Sequence, residues 1–234
     1  MKIAIIGTGY VGLVSGVCLS DFGHNVVCVD NSAAKINQLN AGQVSIYEPG
    51  LDVLLVKNAT AGRLSFTTQF AEAVDGADAI FIAVGTPSRR GDVHADLTYV
   101  YAAAAEVPDA LTRYAVVVTK STVPVGTNRG VAEVIRKARP DAAFDVASNP
   151  EFLRERAAIE DFMRPDRVVV GVETERAKDV MAQIYRPLFL RDFPIVYTGM
   201  ESAELIKYAA NASLRPRSAS STKLPPSPNG WVQT

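Results

Sequence analysis

At 234 residues, with a formal net charge of -1, the chain is long enough to build its own core without disulfide staples, and it lacks the general basic field of a protein that grips nucleic acid. Cys18 and Cys28 stand apart with no CxxC or Cys/His spacing, so neither a metal site nor a redox pair is expected. The opening apolar run ends at Ile6, too short for a secretory leader or a membrane span; the expectation is a cytoplasmic protein with no membrane or nucleic-acid partner.

Short β-branched runs alternate with helical segments, the pattern of parallel strands joined by crossover helices. Strands are expected at Lys2–Ile6, Asn25–Val29, Leu64–Thr67, Ala79–Val84, Ala115–Thr119 and Phe144–Ala147, with helices near 11–22, 32–40, 69–75, 98–109 and 127–137. Near-continuous apolar strands such as AIFIAV and AVVVT imply a sheet covered on both faces. After Pro150 the rhythm goes on with a strand at Arg167–Val172, a helix around 174–187, a strand at Pro194–Gly199 and a helix from Met200. The fold class expected is α/β, a doubly wound parallel sheet.

Gly7, Gly9 and Gly12 form GxGxxG directly after the first strand, at the opening of the first helix. There the first glycine permits the tight turn, the second a close approach to a pyrophosphate and the third close helix–strand packing, while the helix N-terminus offers free N–H groups. Asp30 closes the second strand, where a carboxylate can hold the adenosine ribose and repel a 2′-phosphate. NAD is therefore expected over NADP. The bland alternative makes the glycines a tight turn and Asp30 a helix cap; a methyltransferase with a glycine-rich first turn leaves the rest of the strand series without a role.

Longer motifs carry a resemblance across residues 1–212. IGTGYVGL at 6–13, EPGL at 48–51, VGTP at 84–87, KSTVPVGT at 120–127, NPEFLRE at 149–155 and AELIKYAAN at 203–211 resemble those of the UDP-glucose and GDP-mannose dehydrogenase family. IYEPGL, NPEFLRE and MRPDRVVVG are more similar to its UDP-glucose members than to those acting on GDP-mannose or UDP-N-acetylmannosamine. The resemblance implies oxidation of the sugar C6 alcohol to a carboxylate with two NAD in succession, through a thioester on a cysteine. It also implies a homo-oligomer and a C-terminal UDP-binding domain.

Position by position, the resemblance implies that Tyr10 and Val11 line the pyrophosphate loop and that Asp30 and Lys35 hold the ribose. Thr86 and Thr122 would flank the cofactor, with Thr122 also positioning a catalytic water; alternatively Thr122 caps the helix after Pro124. Glu151 would shuttle a proton with water, and Glu155 would contact the cofactor. Phe152, Leu153 and Arg154 would form a wall of the sugar-nucleotide pocket. Glu151 and Glu155, spaced i, i+4, are expected to share one face of a helical turn. Lys207 and Asn211, also i, i+4, would stabilise negative charge at C6; as a lone motif, ELIKYAAN would be an ordinary helix surface. Arg156 stands where family members commonly have glycine, and is expected to pair with Glu155 or crowd the cofactor.

Cys18 and Cys28 fall inside a helix and a strand, where burial rather than reactivity is expected; the family's nucleophile is therefore expected to be missing from the chain. The segment from Ser213 to Thr234 is rich in Ser and Pro and has no helical or strand period. A reading-frame slip near residue 213 is the expectation, with a genuine short NAD-binding module as the alternative. The domains expected are an NAD-binding domain at 1–199, the start of an interdomain helix at 200–212 and an unstructured tail at 213–234. The apolar face near Leu205, Ile206 and Ala209 is expected to be left uncovered and to lower solubility.

Overall fold

The computed structural model describes residues 1–87, 95–190 and 193–214. The tail from residue 215 lies outside the described residues, as do 88–94. Among the described residues the strands form one eight-stranded sheet in the order β3-β2-β1-β4-β5-β6-β7-β8. These are β1 (Lys2–Ile6), β2 (Asn25–Val29), β3 (Leu64–Thr67), β4 (Ala79–Ile82), β5 (Ala115–Thr119), β6 (Phe144–Ser148), β7 (Val168–Gly171) and β8 (Ile195–Thr198). The helices are α1 (Tyr10–Asp21), α2 (Ala33–Asn40), α3 (Leu51–Thr60), α4 (Phe70–Val74), α5 (Thr98–Ala110), α6 (Thr127–Ala138), α7 (Ala158–Met163), α8 (Glu175–Ile184), α9 (Arg186–Phe189) and α10 (Met200–Leu214).

The apolar strands are covered on both faces, as their composition requires. One layer packs α1, α3, α7 and α8 over residues such as Ile3, Ile5, Phe81 and Val116; the other packs α4, α5 and α6 over Ile80, Ile82, Val117 and Phe144. Each fully buried Ile, Val or Leu stabilises the fold by about 1.5–3 kcal/mol. The helix α1 is buried on almost every side, from Gly12 to Ser20, wedged between the sheet and α3.

The sheet is the expected doubly wound, mostly parallel one, with a single antiparallel pairing. β1 to β6 are parallel, but β7 meets β6 antiparallel, at Ser148↔Gly171, and β8 follows β7 in parallel. A parallel neighbour would need a crossover running back the length of the sheet. The 149–167 segment contains only the six-residue α7, and it stays at the carboxyl end of β6. β7 therefore starts beyond that end and runs back towards it. Strand β4 is also shorter than expected, closing at Ile82, and α3 and α7 were not anticipated.

The strand order reverses between β1 and β4, the place where open α/β sheets gather ligands at the strands' carboxyl ends. The loops after β1, β2, β4, β5 and β6 carry Gly7–Gly12, Asp30, Thr86, Thr122 and Glu151 to that edge.

Candidate functional site

The β1–α1 turn is built for close approach. Gly7 has φ +100, and a Cβ there would lie 2.8 Å from the Ala83 carbonyl oxygen. A Cβ on Gly12 would lie 2.0 Å from the Gly7 oxygen, whereas one on Gly9 would meet nothing within 4 Å. The protein thus leaves open space over Gly9. Helix α1 has no side-chain cap, so the amides of its first turn, Tyr10 and Val11 included, face outward with the positive end of the dipole.

Asp30 sits just past β2 with its side chain 9% exposed. Its Oδ2 accepts from the Thr8 amide at 2.9 Å and the Thr8 hydroxyl at 2.7 Å, and its Oδ1 from the Ser32 amide at 3.0 Å. Lys35 Nζ lies 3.7 Å away. Burial pushes the Asp30 carboxyl up, but the Thr8 and Ser32 hydrogen bonds and the Lys35 ammonium outweigh it and hold it below the usual carboxylate range. A fixed negative charge at the end of β2 suits two ribose hydroxyls and disfavours a 2′-phosphate. Open space above Gly9, free amides and this carboxylate together fit the adenosine half of NAD.

Thr86 and Thr122 come together: the Thr86 hydroxyl donates to the Thr122 carbonyl at 3.0 Å. Thr122 does not cap the next helix, because α6 begins after Gly126 (φ 91) with no side-chain cap. That terminus is served instead by Glu204 of α10. Buried to 2% exposure, its carboxylate accepts from the Gly126 amide at 2.6 Å, the Asn128 amide at 2.9 Å and the Asn128 side chain at 2.7 Å. A carboxylate at a helix N-terminus is favoured by the dipole, and this one pins α10 to the Thr122 loop.

Glu151 and Lys207 form an ion pair, with Nζ 3.2 Å from Oε1 and the side chains 12% and 9% exposed. Lys207 also donates to the Glu151 carbonyl and lies 5.2 Å from the centre of the Phe152 ring. Asn211 continues the same helix one turn on; its side chain lies outside the described residues.

The expected helical turn through Glu151 and Glu155 is absent, since residues 151–154 take no regular structure. The Glu151 carboxylate accepts from the Leu153 amide at 2.6 Å, a local bond that turns the chain away from a helix. Glu155 is exposed, in a turn rather than a helix. Arg154 forks onto Asp161, with Nη2 2.6 Å from Oδ1. Arg156 has φ 68, alone among the described non-glycine residues in being positive, which is the physical reason a glycine suits this position.

Several site-bordering residues carried no such expectation. Lys120 is 4% exposed; its ammonium donates to Asn149 Oδ1 at 3.0 Å and Tyr185 Oη at 3.4 Å and lies 5.4 Å from the Phe162 ring centre. These four residues border a cavity of about 520 Å³ under the 150–154 segment. Glu48, 6% exposed, joins Tyr10 to α7. The signal for each was a charged residue against an apolar run or inside a quoted motif: Lys120 after AVVVT, Glu48 in EPGL, Glu204 in AELIKY. Cys18 and Cys28 are buried, and burial pushes both thiols up to about 12. Among the described residues no helix is long and apolar enough to cross a membrane, and no cluster of His, Cys, Asp and Glu has the makings of a metal site.

Comparison with known proteins matches this arrangement. The UDP-glucose 6-dehydrogenase of Rhizobium meliloti (strain 1021) is 60% identical over 92% of this chain and 49% of its own length. UDP-glucose 6-dehydrogenase TuaD of Bacillus subtilis (strain 168) is 49% identical over 91% of this chain and 46% of its own. Among solved structures, a UDP-glucose dehydrogenase from Pyrobaculum islandicum superposes with a TM-score of 0.86 at 44% identity, covering 90% of this chain and 49% of that one. A GDP-mannose dehydrogenase from Pseudomonas aeruginosa gives 0.86 at 41% identity, covering 91% and 50%. The chain spans about half the length of the curated relatives it matches. Residues 1–189 match the model of the UDP-glucose/GDP-mannose dehydrogenase family, NAD binding domain, and the chain belongs to that family.

Proposed function

We propose that this chain supplies the NAD site and one wall of the sugar-nucleotide site of an enzyme that oxidises UDP-glucose to UDP-glucuronate. The observation that carries the reading is the Glu151–Lys207 pair, a carboxylate and an ammonium drawn from distant segments and held together with little exposure. The relatives' names favour UDP-glucose over other nucleotide sugars. The unit at 1–199 is the cofactor domain, and the helix from Met200 leads towards the remainder of the family's length.

NAD, when bound, supplies the hydride acceptor, and carrying an alcohol to a carboxylate takes two such transfers and one water. The chain's own groups divide the remaining tasks. Glu151 accepts a proton through water, and Lys207 offsets negative charge developing on the C6 oxygen, with Asn211 one helical turn further on. Thr122 holds the attacking water. Phe152, Leu153 and Arg154 line the sugar nucleotide, while Asp30 and Lys35 hold the cofactor ribose. Neither Cys18 nor Cys28 is the nucleophile, because a thiol held at about 12 inside the core is neither ionised nor reachable.

The test joins residues 1–212 to the C-terminal half of the Rhizobium relative and follows NADH. Two NADH per glucuronate from UDP-glucose are expected, with Lys207→Met and Glu151→Gln each lowering kcat by about 10²-fold or more. Turnover unaffected by both substitutions sinks the assignment. Glucuronate made by the 234-residue chain alone would refute a nucleophile outside it.

A further inference from the structure

We propose that Glu48 is a positioning residue: with the Tyr10 hydroxyl it ties the Gly7–Gly12 loop to residues 154–159, so that cofactor binding orders the wall presenting Glu151. The inference rests on the reading of that wall as part of the sugar-nucleotide site. Glu48 comes from neither segment, and its carboxylate is divided between them. Oε2 accepts from the Tyr10 hydroxyl at 2.5 Å. Oε1 accepts from the Ala158 amide at 2.9 Å and the Ile159 amide at 3.4 Å, the free donors at the start of α7.

Tyr10 is the other half of the link. It is the first residue of α1, so its backbone belongs to the turn that faces the pyrophosphate. Its hydroxyl reaches the Arg154 carbonyl at 3.4 Å, two residues before Arg156. Arg156 is the residue held at φ 68, a conformation that persists only where the surroundings hold it. Tyr10 and Glu48 therefore grip the 154–159 segment at Arg154, Ala158 and Ile159, on either side of Arg156. A ligand that immobilises the first turn of α1 removes freedom from Tyr10, and through it from that segment. The coupling is reciprocal, so a sugar nucleotide that orders the segment tightens NAD.

The experiment is residue-resolved hydrogen–deuterium exchange on the 234-residue chain, free and saturated with NAD, in wild type, Glu48→Ala, Glu48→Gln and Tyr10→Phe. In wild type NAD should slow exchange at 157–159 by about fivefold or more, the lower end of ordinary coupling. At saturating NAD, Tyr10→Phe and Glu48→Ala should lose most of that slowing while keeping the slowing at 7–12. Glu48→Gln retains an acceptor for Ala158 and should keep part of it. A merely structural Glu48 would instead lower the unfolding midpoint and leave the NAD response of 157–159 intact. That result, or no slowing there in wild type that binds NAD, overturns the link. A chain with no NAD binding heat at all overturns the cofactor reading along with it.

Discussion

Lys120 shows how one residue is set by its surroundings. Burial, opposed by the Glu151 charge and reinforced by Lys207, holds its ammonium down at about 8 against an ordinary 10.5. Between those values the unfolded chain keeps a proton that the folded protein has shed. Stability gained from this group therefore appears as pH rises through the window, by up to about 1.4 kcal/mol per pH unit, and is lost again as pH falls through 8. Urea denaturation of wild type and Lys120→Met at pH 8 and pH 10 should show the comparison moving in favour of wild type by about 1 kcal/mol or more; parallel pH curves would refute the buried charge. Arg156 gives a second test. Moving it to glycine relieves about 1–2 kcal/mol of left-handed strain and returns about 0.5–1 kcal/mol through a freer unfolded chain. Arg156→Gly should thus raise the urea midpoint, and a lower one would mean that the arginine side chain is held by contacts worth more than the strain. At Gly12 there is no such trade: a methyl 2.0 Å from the Gly7 oxygen forces the turn open, and Gly12→Ala should show no NAD heat by calorimetry.

At the scale of the elements, the chemistry lies where helix ends meet loops. Helix α6 begins on a glycine with no side-chain cap of its own, and it is completed by Glu204, from 76 positions away in sequence for Asn128. Removing that carboxylate strands the Gly126 and Asn128 amides, so Glu204→Ala should cost about 3 kcal/mol. Glu204→Gln should cost about half as much, because its oxygen still accepts and its amide can donate to Asn128 Oδ1, a buried atom without a partner. Equal losses in the two variants would contradict this account of the cap. The C-terminus of α5 is finished in a similar way, by Arg139 donating to the Pro108 and Leu111 carbonyls at 3.0 and 2.8 Å.

For the whole molecule, His24 joins the α1–β2 turn to the end of α8, with Nε2 2.9 Å from the Ile184 carbonyl oxygen. Burial lowers its pKa, and the Ile184 hydrogen bond offsets part of this. A histidine depressed in the folded state contributes stability that is present above its unfolded pKa, about 6.5, and lost as pH falls through the folded value. The thermal midpoint should therefore drop below about pH 6.5, and less steeply in His24→Asn. Along α10, Leu205 and Tyr208 are 58% and 39% exposed, on the face expected to lie uncovered. Light scattering should find concentration-dependent association that Leu205→Glu reduces; a monodisperse monomer in both would count against it.

The strand series, the glycine turn, Asp30 and the family motifs were legible in the sequence, because period, punctuation and local turn chemistry are properties of neighbouring residues. The same locality misled at Glu151 and Glu155: their spacing suits a helical face, but the Leu153 amide and the left-handed Arg156 turn the chain aside. Strand direction after β6, the burial of Lys120, and the bonds of Glu48 to Tyr10 and α7 and of Glu204 to α6 depend on which distant segments pack together. Sequence alone determined a dinucleotide-binding α/β chain of this family. Only the tertiary structure decided which of its charged side chains meet, since burial and long-range hydrogen bonding arise from packing and leave no period to read.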